Sequence, residues 1–235
     1  MTELGFSVLY ESHACLVVSK PPGLSTQAPP GNDSLEVRIK RFLRHRDNEP
    51  GDLYLGVPHR LDRPASGAMV FAKTRRATRK LAQQFQRRLV RKVYWACVAG
   101  QVAPAAGTWR DHLRKVPGEA RAEVVEPDHP DAKLAVVDYR ILQAAPWGCW
   151  LEIELKTGRT HQIRIQAASR GYPVLGDVQY GSTMAFGPQY EDERLRAIAL
   201  HARSLTFRDP QTREPVSVTA AVSADWSAFS RGTAE

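Results

Sequence analysis

The order of apolar and polar residues along the chain predicts eight strands. Continuous or alternating apolar runs, several of them closed by proline or glycine, are typical of strands. These runs cover residues 14–20, 54–57, 68–72, 93–98, 134–142, 150–155, 200–207 and 216–220. The last two runs flank Asp209-Pro210, and we expect them to form a hairpin.

A first helix is predicted between Asp33 and Pro50. Glu36 follows Asp33 at a spacing close to that of a capping box. Four apolar residues then recur with the helical period and share one face. They are Leu35, Ile39, Phe42 and Leu43.

Two further helices are predicted in the middle of the chain. One runs from Arg75 to about Val90, with Thr74 as its N-cap. The other begins at an N-cap on Thr160 and ends just before Gly171. An apolar stripe at a spacing of four lies on the first of these two helices and consists of Ala77, Leu81, Phe85 and Leu89.

Many strands with few helices, not in strict alternation, indicate an α+β fold rather than a doubly wound one. The 235 residues suit one large domain or two small ones. We expect a single domain over residues 1–235.

Composition argues against a membrane-spanning protein and against a disulfide framework. Hydrophobic residues make up 43% and charged residues 25% of the chain, and no apolar run approaches the length that spans a bilayer. The N-terminus lacks a basic stretch followed by an apolar one, so we expect a cytoplasmic location. Cys15, Cys97 and Cys149 are widely spaced and form no CxxC pair, which favours three reduced, buried thiols.

Positive charge is concentrated in one segment of the chain. The net charge is +8, and residues 63–110 hold 11 Lys and Arg residues and no carboxylate. A solvated basic helix would explain some of this charge, but 48 residues without one acid favour a polyanionic partner. A membrane-surface helix would show the same amphipathic pattern as residues 75–90. A core-facing stripe with a basic outer face needs no membrane.

Two polar segments hold the candidate chemistry. Asp62 lies between two arginines in the loop HRLDRPASG, where the positive charge favours its ionised form. A salt-bridge partner without chemistry would have the same surroundings. In TGRTHQIR, Arg159 and His161 are placed at a helix start that favours an anion, and Arg164 follows on the same side. This segment alone also fits a phosphate-contacting helix end.

A metal site is not expected. His59, His161 and His201 show no ligand spacing, and no acidic cluster accompanies them.

The motifs, and the order in which they occur along the chain, resemble those of the RluA-type RNA pseudouridine synthases. HRLDRPASG is similar to the HRLD-x-x-(T)SG signature of that family, although Ala65 stands where threonine is usual. Further family motifs are similar to the segments LVVSKPPGLSTQ, RKVYWACVAG, TGRTHQIR with GDVQYG, and HARSLTFRDPQT. Together they cover about residues 5–226. The accessory N-terminal RNA-binding module of many relatives is not expected here.

The resemblance implies a mixed, mainly antiparallel sheet and an enzyme that converts uridine in rRNA or tRNA to pseudouridine. Asp62 then matches the catalytic aspartate, acting either as nucleophile or as base. Tyr94 matches the active-site tyrosine, and Arg164 matches the basic residue paired with the aspartate. The remaining candidate residues are four for substrate binding and three for the RNA backbone. They are His59, Arg60, Arg159 and His161, and then Arg76, Arg79 and Arg87.

The implied reaction is an isomerisation, so no cofactor and no metal is expected. The expected partner is RNA, with no membrane and with the protein as a monomer. The sequence also leaves two other hypotheses open: an inactive RNA-binding protein of the same fold, and a basic hydrolase or nuclease. A metal-dependent nuclease needs clustered carboxylates to hold its metal ions, and the sequence shows no such cluster.

Overall fold

The computed structural model describes residues 5–48, 51 and 53–230. Within this range the chain forms ten strands, four α-helices and three short 3₁₀ helices. The strands are β1 (Ser7–Glu11), β2 (Cys15–Lys20), β3 (Ser66–Ala72), β4 (Arg91–Ala99), β5 (Ala106–Lys115), β6 (Ala122–Val125), β7 (Lys133–Ala145), β8 (Gly148–Leu155), β9 (Leu200–Arg208) and β10 (Pro215–Thr219). The helices are α1 (Leu35–Asp47), α2 (Arg75–Gln86), α3 (Gln162–Ala168) and α4 (Ser227–Ser230), with 3₁₀ helices at Val178–Tyr180, Glu193–Leu195 and Ala224–Trp226. The α+β class is confirmed.

The chain divides into two compact units. Unit 1 consists of Met1–Arg91 and Ala202–Ala221, and unit 2 of Lys92–His201 and Val222–Glu235.

Unit 1 is built on antiparallel pairs in which β2 lies between β1 and β3, while β10 pairs with β9. The apolar faces of these strands and of α2 form its core. That core includes Val17, Val70, Leu81 and Phe207, and Phe85 packs against it.

Unit 2 is an antiparallel sheet in which β8 lies between β4 and β7, and β5 lies between β7 and β6. Alternation along β8 buries Leu151 and Ile153 completely, because successive side chains of a strand point to opposite faces. The strand predicted at residues 150–155 is confirmed.

The N-cap of α1 lies one residue later than predicted. Ser34 is the N-cap and its Oγ accepts from Val37 N, whereas Asp33 binds Arg38. Leu35, Ile39 and Leu43 are buried as predicted, and Phe42 is half-buried. The helix ends at Asp47, and the predicted limit at Pro50 lies outside the described residues.

Helix α2 has the predicted N-cap but is shorter than predicted. Thr74 Oγ1 accepts from Ala77 N, and the helix ends at Gln86. Arg88 takes a left-handed conformation (φ 58°), which stops the helix before Val90. Leu89 therefore leaves the predicted apolar stripe and is 64% exposed.

Two further local predictions are wrong. Residues 54–57 form no strand, and only Gly56 makes an isolated bridge, to Ala72. The N-cap of α3 is His161 rather than Thr160, because His161 adopts a left-handed conformation (φ 50°). The hairpin of β9 and β10 around Asp209-Pro210 is confirmed.

The cysteine prediction is confirmed. Cys15, Cys97 and Cys149 are all free and buried. Burial raises the pKa of Cys15 to about 11 and that of Cys97 to about 12, so these two thiols stay protonated at neutral pH.

Candidate functional site

Asp62 lies in unit 1, in the loop that leads into β3. Its carbonyl accepts a hydrogen bond from Ala65 N at 3.1 Å, which closes a tight turn directly after it. The loop then enters β3 through Gly67, whose φ is +117°. A Cβ on Gly67 would lie 2.4 Å from the carbonyl oxygen of Ala202, so only glycine lets the two backbones approach this closely. Asp62 itself is half-buried, and Ala65 is buried.

A buried lysine lies beneath this loop. Lys20 is 1% exposed, and its Nζ donates to the carbonyls of Pro21, Leu24 and Arg63 at 2.9, 2.7 and 3.1 Å. Burial lowers the pKa of Lys20 to about 7, while the negative charge of Asp62 acts in the opposite direction and raises it. The lysine therefore links the loop's backbone to the turn after β2 and couples to Asp62 electrostatically.

The other predicted residues near Asp62 differ in their surroundings. The ring of His59 stacks on Phe85 with centroids 4.5 Å apart, and its Nε2 accepts from Val70 N at 3.0 Å. These contacts hold His59 against strand β3 and helix α2. Arg60 is exposed. A role in substrate binding stays a prediction for both.

Arg164 lies in unit 2, on α3, and is 3% exposed. Its Nε and Nη2 donate to the two carboxylate oxygens of Asp177 at 2.6 and 2.7 Å, and Nη2 also donates to Gln179 Oε1 at 2.8 Å. The guanidinium lies over the ring of Tyr180, 4.9 Å from its centroid. Such a fork-to-fork pair fixes the plane of the guanidinium.

His161 is tied to the same tyrosine. Its Nδ1 lies 2.9 Å from Tyr180 Oη, and that hydroxyl also accepts from Ala122 N of β6 at 2.8 Å. A left-handed histidine is uncommon, and such strain concentrates at functional sites. The side chain of Arg159 is held by the backbone of β7, because its Nε donates to the carbonyl of Leu134 at 3.0 Å. Their predicted contacts with substrate stay predictions.

Tyr94 belongs to β4 and pairs with Ile153 of β8. Its side chain is largely buried, at 8% exposure. The strand thus fixes the backbone of the tyrosine that the resemblance places in the active site. Its role, and the pairing of Arg164 with Asp62, stay predictions.

The basic surface of unit 1 consists of the exposed arginines on and just after α2. Arg76 and Arg79 lie on the helix, and Arg87 is its C-cap residue. Among the residues that the structure describes, no carboxylate lies within ion-pair distance of these three arginines. Their charge is therefore not neutralised by acids elsewhere in the described chain.

The described residues were also compared with what a membrane-spanning helix and a metal site require. No described helix is long and apolar enough to cross a bilayer. No group of three or more His, Cys, Asp or Glu side chains in the described ranges is arranged to hold a metal ion.

Comparison with solved structures defines the class of protein. Human RNA Pseudouridylate Synthase Domain Containing 4 superposes with a TM-score of 0.75 at 21% identity, covering 93% of this chain and 89% of that chain. Human RNA Pseudouridylate Synthase Domain Containing 1 gives a TM-score of 0.71 at 24% identity, covering 94% and 86%. The chain therefore has the pseudouridine synthase fold, as the motifs predicted.

Sequence comparison then identifies the family. Residues 14–169 match the family described as RNA pseudouridylate synthase. The chain is 32% identical over 216 residues to an uncharacterized RNA pseudouridine synthase of Synechocystis sp., covering 91% of this chain and 64% of that protein. It is 34% identical over 230 residues to the ribosomal large subunit pseudouridine synthase D of Xanthomonas campestris, covering 95% and 68%. The chain belongs to the RNA pseudouridylate synthase family, and it spans about two thirds of the length of these relatives.

Sequence reasoning missed four residues that hold the candidate groups. Asp177 holds Arg164 and Tyr180 holds His161, and both partners lie in the GDVQYG segment, for which the sequence predicted no role. Lys20 and Thr26 hold the Asp62 loop, since Lys20 Nζ donates to the Arg63 carbonyl and Thr26 Oγ1 donates to the Leu61 carbonyl. A lysine at the end of an apolar strand is usually exposed, and its burial becomes evident only from the residues that pack around it. These contacts therefore could not be predicted before the fold was known.

Proposed function

We propose that this protein is an RNA pseudouridine synthase that isomerises specific uridines, with Asp62 as the catalytic carboxylate. The observation that carries the proposal is the match of residues 14–169 to the family, since this range contains Asp62, Tyr94 and Arg164. Members of the family are isomerases that convert uridine in RNA to pseudouridine. We further propose that the protein acts as a monomer, in the cytoplasm and as a single catalytic domain.

Ribosomal RNA is the favoured substrate. Two of the relatives are named ribosomal large subunit pseudouridine synthases, C from Haemophilus ducreyi, at 32% identity, and D from Xanthomonas campestris. Transfer RNA is the second candidate. The basic surface of unit 1 supports either polyanion, because its arginines have no acidic partners among the described residues.

The reaction requires a carboxylate at the sugar, a side chain that supports the turning base and carries a proton, and a positive charge that keeps the carboxylate ionised. The bond from uracil N1 to the ribose breaks, the base turns, and a bond from C5 to the ribose forms, while C5 loses its proton and N1 gains one. Asp62 is proposed to act at the reacting centre, as nucleophile or as base on the sugar. Tyr94 is proposed to offer an aromatic face to the uracil and a hydroxyl for proton transfer, and Arg164 to keep Asp62 ionised.

The target base has to leave its stack to be reached. Bases in RNA loops leave most easily, so we propose a uridine in a loop or bulge as substrate. Arg60, which is exposed and lies two residues before Asp62, is proposed to fill the gap that the base leaves. His59, Arg159 and His161 are proposed to contact the nucleotides around it.

One assay separates this proposal from its rivals. Ribosomal and transfer RNA from a strain that lacks the gene is labelled with tritium at C5 of uridine and incubated with the protein. Release of tritium with intact chains supports an isomerase. Cleaved chains would indicate a nuclease, and binding without release or cleavage would indicate an inactive RNA-binding protein. Mapping pseudouridines in the same strain then locates the target uridine.

A further inference from the structure

One threonine hydroxyl holds the residue before Asp62. Thr26 Oγ1 donates to the carbonyl of Leu61 at 3.0 Å and accepts from Leu61 N at 3.3 Å. Thr26 is 5% and Leu61 6% exposed, so water has little access to these groups. A single hydroxyl thus satisfies both backbone groups of the residue that precedes the carboxylate.

The residue after Asp62 is held by the same segment of chain. The carbonyl of Arg63 accepts from Gly23 N at 2.9 Å and from Lys20 Nζ at 3.1 Å. The side chain of Arg63 donates through Nε to Ser25 Oγ at 2.9 Å. Residues 20–26, which we call the clamp segment, therefore bind the chain on both sides of Asp62.

The clamp segment is itself attached to regular structure. The carbonyls of Ser25 and Thr26 accept from the backbone N–H groups of Leu35 and Glu36, at the start of α1, at 2.9 and 3.1 Å. At its other end Lys20 pairs with Gly67 across β2 and β3. The position of the Asp62 backbone is thus determined by α1 and β3 through hydrogen bonds that residues 20–26 supply.

We propose that Thr26 is a positioning residue for the isomerisation, which fixes the Asp62 carboxylate by holding the peptide groups that precede it. The inference rests on the proposed function. Thr26 has no part in the chemical step. It acts through Leu61, so its loss should slow the step at bound substrate without changing how tightly RNA binds. A shift of the reacting group by about 1 Å lowers rates by roughly 100-fold in well-ordered active sites.

The test replaces the hydroxyl while keeping the shape of the side chain. Thr26→Val should lower the single-turnover rate at saturating RNA by about 10- to 100-fold and leave the Kd for RNA unchanged. Thr26→Ser keeps the hydroxyl and should restore most of the rate. Thr26→Cys also lacks the methyl group but offers only a weak donor and acceptor, so its rate should fall well below that of Thr26→Ser. The serine and cysteine variants keep the test decisive if the valine variant does not fold.

Ser12→Ala is the matched control in the same unit. Ser12 Oγ donates to Asp209 at 2.6 Å and accepts from the backbone N–H groups of Ala14 and Cys15, at the far end of β2. Its loss should lower the melting temperature and leave the single-turnover rate unchanged. All rates are measured at a temperature at which melting curves show each variant folded.

The outcomes separate this inference from the proposed function. Wild-type protein that releases no label would refute the function itself. Active wild-type protein beside a Thr26→Val variant of equal rate would refute only the positioning role. Equal slowing by Ser12→Ala and Thr26→Val would also refute it, because general loss of stability would then explain the effect.

Discussion

Tyr94 combines an aromatic ring and a hydroxyl, and the two parts are expected to do different work. Tyr94→Phe keeps the ring and its stacking surface on β4 and removes only the hydroxyl. We expect this variant to bind RNA with the wild-type Kd and to turn over slowly, because proton transfer loses its carrier. Single-turnover rates beside RNA titrations measure this. A wild-type rate would show that the hydroxyl takes no part in the chemistry.

Asp177 compensates the buried charge of Arg164. The pair is almost completely buried, with side-chain exposures of 4% and 1%. Asp177→Ala should lower the free energy of unfolding by about 3–5 kcal/mol, because it leaves a buried guanidinium without its carboxylate. Urea unfolding measures this loss.

An exposed pair supplies the control for Asp177→Ala. Arg194 and Asp192 are bonded at 2.9 Å, but Arg194 is 74% exposed. Asp192→Ala should change stability by less than about 1 kcal/mol, as surface pairs do. Equal losses in the two variants would show that burial adds nothing to the Arg164–Asp177 pair.

Among the elements of unit 1, Glu11 of β1 contacts one cation in α1 and a second one between β3 and α2. It binds Arg46, in the last turn of α1, at 2.7 Å, and it also binds Lys73, just before α2. Hydrogen bonds from Arg46 and then from Lys73 lower the pKa of Glu11 to about 2 from its ordinary value of 4.5. The charged carboxylate therefore stabilises the fold above about pH 4.5.

This pKa gives the sign of a pH effect. Because the folded protein holds Glu11 ionised, its contribution is fully present above the unfolded pKa and is lost as the pH falls from about 4.5 towards 2. Glu11→Gln should cost on the order of 1 kcal/mol at pH 7, after solvent screening of a partly exposed group, and little near pH 2. Unfolding curves of both proteins at several pH values check this. A difference between them that does not change with pH would contradict it.

The basic surface on and after α2 is the element expected to bind RNA backbone. Reversing the charge of Arg76, Arg79 and Arg87 should weaken RNA binding broadly. It should flatten the log–log salt dependence of affinity by about one unit per lost phosphate contact. The single-turnover rate at saturating RNA should change little.

A charge-matched control separates local contact from net charge. Arg41, Arg44 and Lys133 are also exposed, and the structure gives them no ion pair with any described residue. Reversing these three changes the net charge equally and should leave the salt slope near that of wild type. If both triple variants flatten the slope alike, the surface by α2 has no special role.

The elements also show where prediction from sequence ended. Periodicity found α2 and its Thr74 cap, because both depend on residues close in sequence. It extended the helix to Val90, since the left-handed conformation of Arg88 leaves no signal in an apolar stripe. The cap of α3 was missed for the same reason, since a left-handed histidine is fixed by packing rather than by propensity.

At the scale of the whole molecule, the family and the α+β class could be predicted because the motifs occur in family order along the chain. The partners of the candidate residues could not. Arg164 meets Asp177 13 residues later, and Thr26 meets Leu61 across 35 residues. Such contacts depend on which strands pair, and the strands β1, β5 and β6 were themselves not predicted.

Asp62 is proposed to carry out an isomerisation of uridine in RNA. The most direct measurement compares wild-type protein with Asp62→Asn in the release of tritium from C5 of uridine, using the same labelled RNA. Asparagine keeps the shape of the side chain and removes its charge, so the variant should remain folded and bind RNA. Wild-type protein should release label, and the variant should release none. Substantial release by Asp62→Asn would contradict this proposal.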